Sequence, residues 1–172
     1  MGINLIITAP SGGGKSTVAE ILTHHGYTRS VSYTTRSPRG DEQNGVDYWF
    51  VSVEEFKEYE RKGFFFESNQ VYTDMYYGTP YNTNEKVVYI MDAEGAVRAK
   101  NFMHCKTIFL YTDKDTLIER ISNRNSDIQT LEKRILKMDY ELSLRDRFDI
   151  IIDNSGSISE TVEKILEYTK HL

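Results

Sequence analysis

Ala9-Pro10-Ser11-Gly12-Gly13-Gly14-Lys15-Ser16 is the stretch whose reading decides the fold of this chain. It follows a short apolar run, Ile3 to Thr8, and leads into Thr17-Val18-Ala19-Glu20-Ile21-Leu22, a predicted helix. Strand, glycine loop, then helix with Lys-Ser at its start is the context that a phosphate-binding loop requires. Successive glycine amides can wrap an anion because no side chain blocks positive-φ turns. The helix opening at Lys15 adds a partial positive charge and unpaired N–H groups. Lys15 can reach the terminal phosphates and the Ser16 hydroxyl can ligate Mg²⁺. Pro10, Ser11, Gly12, Gly13, Gly14, Lys15, Ser16 and Thr17 are therefore the candidates for holding a nucleoside triphosphate. Ala9 stands where the general pattern has its first glycine, which a negative φ would tolerate. The competing reading, a glycine-rich surface turn with a lysine beside it, has no need of the strand and helix on either side.

Outward from the loop, 172 residues are enough for one domain with a real core. A net charge of −5 argues against a broad nucleic-acid surface. Cys105 is the single cysteine, so no internal disulfide can form, and its apolar neighbours suit a core position. No apolar run approaches the ~20 residues of a membrane span. The N-terminus runs straight into the first strand without a basic leader, so a cytoplasmic protein without a membrane partner is expected. Adjacent His24 and His25 face different directions at a helix end, which suits cap and surface roles better than metal ligation.

Further along, Ser30-Val31-Ser32-Tyr33-Thr34-Thr35-Arg36-Ser37-Pro38-Arg39-Gly40-Asp41-Glu42 is followed by Gly45-Val46-Asp47-Tyr48-Trp49-Phe50-Val51-Ser52. Two arginines three apart among hydroxyl residues suit a phosphate, whose oxygens guanidinium forks can clamp. An exposed polar loop would also read this way. The order S-V-S-x-T-T-R-x-P-R-x-x-E, then G-x-D-Y-x-F-V-S, resembles the monophosphate-binding region of guanylate kinases, and the resemblance runs through nearly the whole chain. It implies that Ser32, Arg36, Arg39, Glu42 and Tyr48 surround the acceptor nucleotide. Arg36, Arg39 and Tyr48 would grip its phosphate, and Glu42 would orient the arginines. It also implies that Glu67 reads guanine, that Tyr77 binds phosphate and that Thr79 contacts the base, with one extra residue between Glu67 and Tyr77. Phe64 and Phe66 are expected in the core of a strand over Phe64 to Glu67, and Tyr76 to Pro80 is expected to be a turn.

Ser52-Val53-Glu54-Glu55 and Ser157-Ile158-Ser159-Glu160 are capping boxes that predict helices. Tyr81 to Lys86 is too short for the helix the family usually has there. The run Val87 to Met91 reads as a buried strand ending at Asp92, where the family normally carries acidic–apolar–Asp and then apolar–Gln–Gly. Here Ile90 takes the first acidic position and Glu94 the glutamine. Asp92 is a candidate for metal-bound water or the acceptor base edge. Thr107 to Tyr111 predicts another strand, followed by a helix from Asp113 with Leu117, Ile118 and Ile121 inward. Asn125-Ser126-Asp127 reads as a turn. Ile128, Leu131, Ile135, Met138 and Leu142 mark a second amphipathic helix. Arg120, Arg124 and Arg134 match the family's lid, which closes over the phosphates. The last strand, Phe148 to Asn154, ends Asp153-Asn154 where relatives commonly have Asn-Asp, with the asparagine near adenine.

Alternating strands and helices argue for a parallel sheet covered on both faces. The fold class expected is α/β: a three-layer P-loop NTPase fold with a parallel central sheet, a small mixed acceptor-binding insert and a helical lid. The single guanylate-kinase-like domain would divide into a core of residues 1–31, 87–119 and 148–172, an acceptor region of 32–86 and a lid of 120–147. The resemblance implies ATP as donor and GMP or dGMP as acceptor. Transfer would be in line with Mg²⁺ held by Ser16 and by Asp92, directly or through water. Lys15, Arg36, Arg120, Arg124 and Arg134 would supply the charge. A monomer or homodimer is expected, with no nucleic-acid partner. Two other readings compete: a kinase for another (deoxy)nucleoside monophosphate, and a non-catalytic interaction module of the same fold.

Overall fold

The computed structural model describes residues 3–122 and 128–172, with the side chains of 71, 72 and 128–131 left out of account. The chain divides into two compact units, Met1–Thr28 with Glu85–Leu172, and Arg29–Asn84.

In the first unit the apolar runs become the parallel strands that the sequence predicts. Strand β1 (Asn4–Thr8) lies between β7 (Val87–Ile90) and β8 (Cys105–Tyr111), and β9 (Ile150–Asp153) pairs with β8, all in parallel. With the short β2 (Thr28–Arg29), the sheet order is β2-β7-β1-β8-β9. Strands covered on both faces need no polar alternation, which is why Leu5, Ile6 and Ile7 are all fully buried. Leu5, Ile7, Val88, Ile108, Leu110 and Ile152 pack on one face against Val18, Ala19 and Leu22 of α1 (Lys15–Thr23). Val162 and Ile165 of α6 (Ile158–Lys170) complete that layer. Each such side chain contributes ~1.5–3 kcal/mol on burial.

Helix α3 (Ala93–Ala99) contacts β1 through a run of small residues, with Ala93, Gly95, Ala96 and Ala99 buried. This helix was not expected from the sequence, because Gly95 interrupts a weak pattern. Its N-terminus is capped by Asp92, whose Oδ1 accepts from the Gly95 N–H at 2.8 Å. Helices α4 (Lys114–Ser122) and α5 (Ile128–Ser143) share a cluster of Leu117, Ile121 and Met138, flanked by Ile118 and Leu142, as the spacing predicts. The expected turn at 125–127 lies outside the described residues.

The second unit is a four-stranded mixed sheet, β4-β3-β6-β5. Strands β3 (Tyr33–Thr34) and β4 (Trp49–Phe50) are parallel, and β5 (Phe65–Tyr72) and β6 (Met75–Pro80) form an antiparallel hairpin. The stretch Tyr76 to Pro80 is thus a strand and not the expected turn; the reversal falls at Thr73–Asp74. Gly78 is there because of close packing: a Cβ would come within 2.9 Å of the Phe56 and Phe65 rings. Helix α2 (Val53–Arg61) opens with the predicted Ser52–Glu55 capping box and buries Phe56, which stacks on Phe65 at 4.7 Å and on Tyr76 at 5.5 Å. Phe56 fills the core position expected of Phe64 and Phe66. Those two are only half buried, as is Phe65; Phe65 packs on Phe56 and Phe64 on Tyr59 of the same helix.

Pairing steps from Phe65↔Pro80 to Glu67↔Thr79, so β5 carries one extra residue at Phe66; a second extra residue lies at Val71, between the pairs Gln70↔Tyr76 and Tyr72↔Met75. A bulge of this kind re-aims the side chains that follow it. Phe65 shares the aromatic face with Gly78 and Tyr76. Glu67, which strict alternation would put beside Phe65, instead shares the opposite face with Thr79 and Tyr77.

Candidate active site

In the first unit the glycine loop connects β1 to α1. Gly12 and Gly14 have φ of 83° and 75°, and Gly14 is the helix N-cap, supplying no side-chain hydrogen bond to the first turn. The N-cap side chains Ser52, Asp92 and Ser157, by contrast, cap α2, α3 and α6. A Cβ at Gly13 would lie 2.5 Å from the Ala9 Cβ, so the methyl at Ala9 occupies the space that Gly13 leaves open. Ala9 is buried, and its φ is not positive, the condition on which its methyl is tolerated.

Lys15 folds back to donate to the carbonyls of Ala9 and Pro10. Ser16 and Thr17 are exposed on the first turn of α1. The Arg120 guanidinium reaches the Gly12 carbonyl at 3.5 Å, and Arg134 is half buried on α5. Arg124 lies outside the described residues.

A buried carboxylate that no motif signalled, Glu141 of α5, belongs to this neighbourhood. Burial pushes its carboxyl up, while the charges of Lys15 and Lys137 pull it down. Lys137 lies 3.9 Å from Glu141 and 3.8 Å from the second oxygen of Asp92, and the Tyr140 hydroxyl donates to Glu94 at 2.6 Å. Asp92 and Glu94, at the start of α3, are thereby tied to α5.

The second unit gathers the residues expected at the acceptor. Ser32 Oγ lies 3.5 Å from Thr79 Oγ1, and Thr79 is paired with Glu67. Asn69, opposite Tyr77 on the same face, was not anticipated, since a lone asparagine in a strand carries no motif. Arg36 is buried and makes four hydrogen bonds: Nε to the Tyr77 hydroxyl at 3.1 Å, Nη1 to the Ser37 carbonyl, and Nη1 and Nη2 to the two Glu42 oxygens at 2.6 and 2.7 Å. Its guanidinium lies over the rings of Tyr48 at 5.0 Å and Phe50 at 5.6 Å. Arg39 is exposed, and its backbone N–H donates to Glu42 at 2.8 Å. Burial holds the Tyr48 phenol above its ordinary range, so it stays protonated as a donor at neutral pH.

The Arg36 hydrogen bonds hold the Glu42 carboxyl below its ordinary value of 4.5, outweighing the opposing effect of burial. A carboxylate depressed in the folded state stabilises it above that ordinary value, and the contribution is lost as pH falls on through the lowered folded-state value. Glu42→Gln is expected to cost ~1–3 kcal/mol at neutral pH. In thermal melts taken down to about pH 3, the gap to the parent should narrow below the ordinary carboxylate range. A gap that does not change with pH would trace the loss to something other than this ion pair.

For Mg²⁺, the donor set is the test. The ion keeps several waters and takes one or two protein oxygens beside substrate phosphates. The Ser16 hydroxyl and the half-buried Asp92 carboxylate are donors of that kind. No cluster of three or more His, Cys, Asp or Glu suited to a metal occurs among the described residues. The residues therefore fit a metal that arrives with a nucleotide.

Comparison with known proteins agrees with this geometry. The guanylate kinase family profile matches residues 2–172. A guanylate kinase of Prochlorococcus marinus (strain MIT 9312) is 39% identical over 175 residues, covering 95% of this chain and 94% of the relative. One from Bacteroides fragilis is 36% identical over 163 residues, covering 87% and 80% respectively. The crystal structure of guanylate kinase from Anaplasma phagocytophilum superposes with a TM-score of 0.80 at 27% identity, covering 99% of this chain and 85% of that one. Phosphate loop, four-stranded insert and a match from one end of the sequence to the other lead to one conclusion: the chain belongs to the guanylate kinase family.

Proposed function

We propose that this chain transfers the γ-phosphoryl group of ATP to GMP or dGMP, yielding ADP and the nucleoside diphosphate. The observation that carries the acceptor assignment is the face of the β5–β6 hairpin where Glu67 stands opposite Thr79 with Ser32 alongside. A carboxylate flanked by two hydroxyls matches the donor–donor–acceptor edge of guanine. Tyr48, Tyr77, Arg36 and Arg39 would take the phosphate. Glu42 holds Arg36 by both oxygens, so the guanidinium is fixed before the ligand arrives.

On the donor side, the loop amides and the uncapped start of α1 would bind the triphosphate, and Lys15 would leave the carbonyls of Ala9 and Pro10 for its phosphates. Mg²⁺, held by Ser16 and by Asp92 directly or through water, would neutralise charge on the phosphate oxygens. Arg120, Arg124 and Arg134 would add positive charge as the group moves. No general base is needed, because the acceptor phosphate is already an anion; alignment and neutralisation are what the reaction requires. The glycine loop with its lysine supports a catalyst over an interaction module, which has no use for it.

The test is a panel of ribo- and deoxyribonucleoside monophosphates with ATP and Mg²⁺, read as ADP formed. GMP should be phosphorylated, and the dGMP arm reads whether the 2′-hydroxyl matters. AMP, CMP and UMP should be poor acceptors. A preference for any base other than guanine would sink the assignment.

A further inference from the structure

The phosphate loop is held from beneath by the far end of the chain. Asn154, just after β9, is 1% exposed, and its Nδ2 donates to the Gly13 carbonyl at 3.0 Å. Thr161, on the first turns of α6 and also 1% exposed, donates its hydroxyl to Asn154 Oδ1 at 2.7 Å. The Asn154 main chain is anchored as well, its N–H donating to the Tyr111 carbonyl at 2.7 Å.

The direction of this chain of bonds follows from valence. The Gly13 carbonyl can only accept, so the Asn154 amide must present its NH₂ there. Its oxygen then faces Thr161, which must donate. In a trans peptide the C=O and the following N–H point in opposite directions. Anchoring the Gly13 carbonyl on the buried side therefore turns the Gly14 N–H to the other side, the side left for an anion. Gly14 needs this help, because at φ 75° it is the hinge between loop and helix and has no side chain of its own to hold it.

We propose that Asn154, locked by Thr161, is a positioning residue for the donor phosphates. The pair sets the Gly13–Gly14 peptide plane, and with it the loop's readiness to bind a triphosphate. This rests on the reading of Pro10 to Thr17 as the donor site. It also accounts for the order Asp153-Asn154: the asparagine is committed to the loop, whereas Asp153 is exposed and accepts from the Ser155 N–H at 3.0 Å.

The test uses three variants of the full chain, with KM for ATP and for GMP measured separately and thermal melts run alongside. Asn154→Ala and Thr161→Val, the latter nearly isosteric, should each raise KM for ATP by ~10-fold or more while KM for GMP stays within about twofold of the parent. Thr161→Ser, which keeps the hydroxyl, should restore most of the ATP KM. A purely structural role would lower Tm in all three and leave the ATP KM unmoved; that result, or equal rises in both KM values, overturns the proposal. ADP titration of the parent and of Lys15→Ala by calorimetry separates the underlying reading. If ADP binding ignores Lys15, the donor site itself is wrong. If binding needs Lys15 but not the Thr161 hydroxyl, only the brace fails.

Discussion

Lys15→Ala should lower the rate of phosphoryl transfer ~10³-fold or more, the scale of loss when a preorganised charge at a developing anion is removed. The lysine is seated for that duty. It opens α1, directly after the N-cap Gly14, and donates to the carbonyls of Ala9 and Pro10, the first residues of its own loop. Those weak, neutral acceptors are partners that a phosphate displaces easily. The Glu141 carboxyl belongs to the same neighbourhood: burial pushes it up, and the Lys15 charge pulls against that rise. The residues proposed for the acceptor lie in the other unit, so the variant should keep its GMP affinity while losing turnover. Steady-state rates with both substrates, with GMP binding measured by calorimetry, check this. Near-parental turnover would mean that Lys15 does not act on the phosphates.

The second large effect is expected at Glu67. Guanine offers N1–H and the 2-amino group as adjacent donors beside the O6 acceptor. An ionised carboxylate accepts from both donors in parallel, a charge-assisted bidentate pair. Thr79, across the hairpin from Glu67, can donate its hydroxyl to O6, and the Ser32 hydroxyl lies 3.5 Å from it. Adenine has no donor at N1 or C2, so it would displace water from the half-buried carboxylate and offer neither bond of that pair, enough for ~10³-fold discrimination or more. In the acceptor panel the parent should prefer GMP to AMP by that order, and Glu67→Ala should lose mainly GMP activity. A variant that keeps the GMP preference would show that guanine is read by other groups.

Much of this was open to inspection in the linear chain, because the relevant forces act between near neighbours. The glycine loop between an apolar strand and a helix declares itself through backbone conformations that few other residues adopt, and Gly12 and Gly14 have the positive φ this requires. Ser52 with Glu55 and Ser157 with Glu160 close their capping boxes within three residues. Leu5, Ile6 and Ile7 are apolar without alternation, which is enough to call for a strand buried on both faces.

The tertiary structure decided the rest, and each case turns on partners far apart in sequence. Whether Tyr76 to Pro80 is turn or strand depends on a pairing with β5 that the glycine and proline conceal. The face on which Glu67 projects is set by the extra residue at Phe66, and a bulge leaves no mark in composition; ahead of it Phe65 lies with Gly78 against Phe56. Glu141 reads as one more charge on an amphipathic helix until the fold buries it near Lys15. Asn154 meets the Gly13 carbonyl across 141 positions of chain, and at such separations the sequence supplies a donor without naming its acceptor. Local stereochemistry determines which segments fold in which way, but only the closed sheet determines which buried polar groups must satisfy one another.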